Sequence, residues 1–175
     1  MGRNLEEFIK KNFKKAIDNF EIQPFYQPVI RVLSRQLCSF EALARWIDPE
    51  IGIIYPDEFI PVLEKEQAIH LLDTAILRQV CIRLRSSITN GEIPIPVSVN
   101  LSRLDFTLCD IFAVADQIVS EYHMGKMLNL KLVAEGVETA EQVERLRGMG
   151  CDYIQGYYYS RPLPQADFEA YLAKE

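Results

Sequence analysis

Residues 130–160 read LKLVAEGVETAEQVERLRGMGCDYIQGYYYS, and this stretch decides the fold class. The apolar run LKLVAEGVE has strand character, and Thr139 stands where a helix N-cap belongs. AEQVERLRGMG is then helical, Gly150 closes it, and CDYIQGYYYS returns to strand character. QADFEAYLAKE adds a final helix, so the last third reads βαβα. Strands alternating with helices at this spacing argue for parallel α/β architecture. The alternation alone leaves open a doubly wound sheet or a barrel, and no Gly-rich nucleotide fingerprint follows any strand.

Working upstream, VSVNL (97–101) is apolar apart from Ser98 and Asn100, as in a buried parallel strand whose C-terminal end carries a polar residue. A helix is predicted over Ile111 to Tyr122 with Asp110 as N-cap, and another from about Ile69 to Ile88, ending before Asn90-Gly91. Pro56-Asp57-Glu58 opens a helix carrying Phe59, Ile60 and Leu63. FYQPVIRV (25–32) and LCSFEALARW (37–46) read as two short strands joined by a turn at Ser34-Arg35-Gln36, with Pro28 limiting the pairing of the first. Leu5, Phe8, Ile9, Phe13, Ala16, Ile17 and Phe20 recur at helical spacing, so residues 1–20 are expected to form an amphipathic arm or linker and residues 21–175 the domain.

The 175 residues suffice for one domain with a substantial core. Apolar residues make up 49% and charged residues 25%, with a mean hydropathy of −0.03, which separates the chain from disordered sequences. A net charge of −6 argues against a nonspecific polyanion binder while leaving room for a local basic pocket, so DNA is not an expected partner. Cys38, Cys81, Cys109 and Cys151 form no C-x-x-C pair and read as buried free thiols. With no signal-peptide core and no run long enough to span a membrane, a cytoplasmic protein is expected.

Polar residues mark the strand ends, where an α/β protein builds its site: Glu41 and Arg45 after the second strand, Asn100 after the third, Glu135 and Glu138 after LKLVA, and Gln155 on the last. Two carboxylates and an amide oxygen on one rim suit Mg²⁺ or Mn²⁺, and Arg45 suits a phosphate. Taken singly, each also fits a helix cap, a surface charge or a satisfied loop residue. His70 and His123 lie far from any nucleophile and read as surface or partly buried. Tyr153 and Tyr157-Tyr158-Tyr159 read as core or rim packing rather than a base-stacking platform.

Six segments in order resemble the EAL domain, the bacterial phosphodiesterase that linearises cyclic di-GMP. They are FYQPVI (25–30), FEALARW (40–46), PDEFIPVLE (56–64), VSVNLS (97–102), LKLVAEGVET (130–139) and GCDYIQGYYYSRPLP (150–164). The resemblance implies a modified TIM-type (β/α)₈ barrel with its first strand reversed and its site at the C-terminal strand ends. It further implies Glu41 and Asn100 as metal ligands, Arg45 on a substrate phosphate, and Gln27 and Leu43 lining the substrate groove. Glu135 would be the acid beside the hydrolytic water, and Gln155 would help order metal-bound waters or substrate. Two Mg²⁺ or Mn²⁺ ions serve such a centre.

Between the helix ending near Tyr122-His123 and Leu130 only a short connection intervenes, where the family carries three further strands with their helices. The family's fourth-strand Glu, fifth-strand paired Asp and sixth-strand Lys have no counterpart. An incomplete barrel is therefore expected, in which the third and seventh family strands pair directly or a second copy covers the exposed edges. Glu41, Asn100 and Glu135 are too few to hold two divalent cations, so the expectation is a catalytically silent module that binds cyclic di-GMP or a protein partner. Phosphodiesterase activity would require a dimer that completes the site, or a natural chain that carries the absent segment.

Overall fold

The computed structural model describes residues 2–31, 33, 35–123, 133–135, 139–148, 153–155 and 158–159. Helix α1 (Gly2–Asp18) leads into strand β1 (Ile22–Arg31), which runs antiparallel to β2 (Gln36–Asp48). The register pairs Ile22 with Trp46 and Gln27 with Glu41, and slips once between Val29 and Ile30. Both strands are longer than predicted. β2 continues past Trp46 because β3 (Gly52–Ile54) pairs antiparallel with residues 46–48. The Asp48 carboxylate accepts from the Glu50 and Ile51 amides at 2.9 and 2.8 Å and so shapes the turn between them. Pro24 and Pro28 stay in the ladder because β1 is paired on one side only among the described residues.

Helix α2 (Pro56–Lys65) begins where the Glu58 carboxylate accepts from the Tyr55 amide at 2.9 Å. Helix α3 (Ile69–Thr89) matches its predicted span, and Gly91 closes it at φ 77°, a conformation open to a residue without Cβ. Strand β4 (Val97–Val99) then lies parallel to β2, Val97 to Val99 facing Phe40 to Ala42. The reversed first strand beside a parallel pair is the arrangement the resemblance implied. After the short helix α4 (Asp105–Leu108), α5 (Ile111–Glu121) starts at Asp110, whose carboxylate accepts from the Ala113 amide.

The final unit consists of β5 (Val133–Glu135), α6 (Ala140–Gly148) and β6 (Tyr153–Gln155), with β5 and β6 parallel. Thr139 caps α6 in both directions: its hydroxyl accepts from the Gln142 amide at 3.2 Å, and its own amide donates to Gln142 Oε1 at 3.1 Å. Gly150, Glu138, Cys151, Tyr157, the turn at Arg161-Pro162-Leu163-Pro164 and the helix QADFEAYLAKE lie outside the described residues.

Trp46 is the hub of the core. Its ring is fully buried and meets Phe8, Phe13 and Phe59 at centroid distances of 5.8, 6.4 and 6.1 Å. Ile9, Phe13 and Ala16 of α1 belong to the same cluster as Ile22, Ala42, Val97 and Val99, so one face of the four-stranded sheet is covered by α1, α2 and α3. Lys65 of α2 reaches Glu6 of α1 at 2.8 Å and Lys10 of α1 reaches Glu66 at the end of α2 at 2.7 Å, while Lys10 also pairs with Glu6 within α1 at 3.0 Å. A second, smaller cluster of Leu101, Ile111, Phe112 and Val143 docks α6 against α5.

Four expectations need correction. Phe20 lies beyond the end of α1, 61% exposed and at φ 57°, because the helix stops at Asp18 and the chain turns into β1. Cys38 and Cys109 are half-buried, only Cys81 being fully enclosed among the described cysteines. Tyr158 and Tyr159 form an exposed turn, ring against ring at 5.0 Å, where the strand was expected to continue, which removes the core alternative and leaves rim packing. Finally, β4 pairs with β2 alone and β5 with β6 alone among the described residues, so of the two expected arrangements direct pairing of the third and seventh family strands is not found there and a second copy over the edges stays open.

Candidate functional site

Alternation along β2 sorts its residues between two faces. Ala42, Trp46 and Asp48 are buried on the helix side, while Glu41, Leu43 and Arg45 stand half-buried on the other. Gln27 faces Glu41 directly across the β1–β2 ladder, and Phe25 faces Leu43. Asn100 follows β4 and donates from Nδ2 to Glu41 Oε1 at 3.0 Å. Glu41, Asn100, Gln27, Leu43 and Arg45 thus lie on one sheet surface, open to solvent. Arg45 is about 13 Å along the strand from Glu41 by strand rise, with Leu43 between them. Its Nη1 donates to the Ala44 carbonyl at 2.7 Å. Glu41 and Arg45 sit inside β2 rather than after it, each paired across the ladder with a β1 residue, Gln27 and Gln23.

Glu135 and Gln155 are register partners in the β5–β6 pair, so the two residues expected to work together occupy one rung. That pair forms a sheet separate from the one carrying Glu41 and Asn100.

The oxygens near Asn100 bear on the implied Mg²⁺ or Mn²⁺. With Asn100 Nδ2 turned to Glu41 Oε1, the second Glu41 oxygen and Asn100 Oδ1 remain as adjacent acceptors. One carboxylate oxygen and one amide oxygen fit a single hard cation completed by water or phosphate, not the carboxylate-rich cradle of two ions. Among the described residues no group of three or more His, Cys, Asp or Glu side chains is arranged to hold a metal.

Sequence reasoning missed the support beneath Asn100. Asp73 on α3 and Asp105 on α4 are buried, and both accept from the Ser102 amide, Asp73 Oδ2 at 2.8 Å and Asp105 Oδ2 at 3.0 Å. Ser102 Oγ bonds Glu64 Oε1 at 3.2 Å and accepts from the Leu104 amide at 3.3 Å. Burial pushes both carboxyls up. At Asp73 the hydrogen-bonded Asp105 adds to that rise, while at Asp105 the bond from Asp73 opposes it. Two signals were legible: Asp73 interrupts the apolar row Ile69, Leu72, Ile76, Val80, and Ser102-x-x-Asp105 has capping-box spacing.

The EAL domain family model matches the chain over residues 10–123 and again over 112–162. The chain belongs to the EAL domain family. The two matches meet in α5, beside the predicted break between Tyr122 and Leu130. The oxygen sensor protein DosP of Escherichia coli (strain K12) is 27% identical over 245 residues, covering 91% of this chain and 30% of the relative. The cyclic di-GMP phosphodiesterase NbdA of Pseudomonas aeruginosa is 26% identical over 251 residues, covering 94% and 32%. The chain spans about a third of the length of these relatives. An alignment of 245 residues against a chain of 175 leaves at least 70 positions filled by DosP alone.

Solved structures share the fold. The Xanthomonas citri FimX EAL domain, in complex with c-diGMP, superposes with a TM-score of 0.68 at 13% identity, over 86% of this chain and 60% of that one. The PaMucR phosphodiesterase, a c-di-GMP complex, superposes with a TM-score of 0.59 at 20% identity, over 91% and 99%. The architecture is that of an incomplete EAL barrel. No helix among the described residues is long and apolar enough to cross a membrane.

Proposed function

We propose that this chain is a shortened EAL module of cyclic di-GMP signalling that binds the dinucleotide without hydrolysing it. The observation that carries the reading is the Glu41–Asn100 contact beside Gln27, Leu43 and Arg45 on one open sheet surface, with a single carboxylate where two-ion chemistry needs several. Arg45 offers a phosphate its planar donor fork, and Gln27 and Leu43 offer polar and apolar contacts to a base or sugar. Glu41 and Asn100 would hold one Mg²⁺ or Mn²⁺, which when bound would screen phosphate charge. Glu135 and Gln155 join the ligand surface only if β5–β6 approaches the first sheet on binding. Residues 1–20 would serve both as a core helix and as the lead-in from whatever precedes the domain.

Incubation with cyclic di-GMP and Mn²⁺ is expected to give no linear dinucleotide, and robust conversion overturns the proposal. Calorimetry should detect cyclic di-GMP binding that weakens at least tenfold in Arg45→Ala, the loss of about one charge-assisted hydrogen bond. Silence in the wild type would favour a partner-binding role instead.

A second copy of the chain is the partner we propose for the exposed strand edges, beside the ligand surface and not on it. β1 and β4 each have an unpaired edge among the described residues, and Phe25 and Val29 of the edge strand β1 are 44% and 43% exposed. Light scattering during gel filtration should give twice the 20.2 kDa chain mass, and a monomer at high concentration rejects this part.

A further inference from the structure

We propose that Asp73 and Asp105 are positioning residues for Asn100, gripping the Ser102 amide between them and so fixing the turn that aims Asn100 at Glu41. The proposal rests on the reading of Glu41 and Asn100 as the ligand-binding edge.

An acid on the apolar side of a helix is costly unless its oxygens are engaged. Asp73 is 8% exposed and Asp105 not at all, yet two carboxyl oxygens converge on one backbone N–H, at 2.8 and 3.0 Å. One N–H cannot satisfy two buried anions, so the pair retains a proton between them, as closely spaced carboxyls do. The surrounding charges agree: Glu64 from α2 lies near both carboxyls and disfavours a second negative charge, while His70 on α3 favours ionisation of Asp105. The Cys109 thiol, just past α4, donates to the Asp105 carbonyl at 3.6 Å, and its own ionisation is opposed by burial and by that aspartate. Asp105 Oδ1 has no hydrogen-bond partner among the described residues, so Oδ2 carries the contact.

The consequence for Asn100 is mechanical. Asn100 is exposed and leaves β4 with its amide on Glu41, while two residues later the chain is tied down at Ser102. Leu101 between them is buried in the second cluster, so the tether and that side chain together determine how the turn leaves the sheet. Asp105 closes the Ser102 turn locally at the start of α4, and Asp73 ties the same amide to α3, so the turn is braced between two helices.

The test follows Asn100 directly, in isotope-labelled full-length protein, by ¹H–¹⁵N correlation spectra from about pH 6 to about pH 10. The Asn100 side-chain amide and the Ser102 backbone amide are expected to shift together through one alkaline midpoint as the shared proton leaves. Asp73→Asn supplies a permanent N–H in that position and should abolish the shift while keeping both resonances near their neutral-pH places. Asp73→Ala should displace the Asn100 amide at every pH, and if it fails to fold, Asp105→Asn makes the same comparison. A role confined to stability predicts a Ser102 shift with Asn100 unmoved, and that result overturns the proposal. Calorimetry with cyclic di-GMP and Mn²⁺ forms a second arm, with wild-type affinity expected to fall several-fold across the same midpoint and Asp73→Asn to flatten the profile. A wild type that binds no dinucleotide at any pH rejects the binding reading, and the spectra still decide the positioning role.

Discussion

Val143→Ala should loosen the last structural unit without loosening the core. Val143 is 3% exposed and sits in the small cluster with Leu101, Ile111 and Phe112 that docks α6. Around that contact, Arg145 makes two 2.7 Å hydrogen bonds to Asp110 and lies 4.9 Å over the Phe112 ring, but the ion pair is about half exposed and orients α6 more than it anchors it. The apolar contact therefore decides the docking. Removing two buried carbons at about 0.8 kcal/mol each, plus a residual cavity, costs about 1.5–2.5 kcal/mol. If α6 opens as its own unit, native-state hydrogen exchange of amides in 140–148 accelerates about 10- to 70-fold. Amides in the middle of α3, which report global unfolding of the Trp46 cluster, should change far less. An equal loss of protection in α3 and α6 would refute the reasoning, because it would make the two clusters one cooperative core.

Trp46→Ala should cost about 3–5 kcal/mol, since it empties the hub shared by α1, α2 and the sheet; a urea midpoint unchanged from wild type would contradict that packing. Glu6 is held down to about 2 by hydrogen bonds from Lys65 and then Lys10, so its contribution is present above the ordinary carboxylate range and is lost as the pH falls towards 2. Glu6→Gln should flatten that acid limb of thermal stability, and raised salt should do so partly in the wild type.

Much of the fold was legible because local chemistry and tertiary placement agreed. Asp110 and Thr139 cap helices as their side chains allow, Asn90-Gly91 ends α3, and Val97 to Val99 pair parallel with β2. Glu41, Asn100, Leu43, Gln27 and Arg45 could be brought together because period-two alternation assigns a strand residue its face once the strand is known. β3 and α4 were missed because at three and four residues they have no periodicity to read and exist through pairing with β2 and the Ser102–Asp105 turn. Asp73 was passed over for the opposite reason: the helical period places it in the apolar row of α3, but only the fold shows what its carboxylate holds, the Ser102 amide. Of the two arrangements expected for the exposed edges, direct pairing of the third and seventh strands is absent among the described residues, where α5 and α6 meet through Phe112, Val143 and the Asp110–Arg145 pair.

That junction also bears on the chemistry. Hydrolysis of a phosphodiester through two cations needs several carboxylates converging around them, and a closed barrel brings them together by arranging its strand ends in a ring. Here Glu41 lies on β2 with Asn100 just past the end of β4, and Glu135 and Gln155 share a rung of the β5–β6 pair. Among the described residues these four positions therefore fall into two sets with no shared hydrogen-bond ladder. A phosphate contact tolerates such separation, since Arg45, Gln27 and the Glu41–Asn100 edge already lie on one continuous surface. In-line attack does not, because it requires the nucleophile, the ions and the leaving oxygen to be held within a fraction of an ångström of productive geometry. Binding should therefore outlast catalysis in this chain, and restoring the absent carboxylates one at a time should not bring turnover back unless the two sheets are also rejoined.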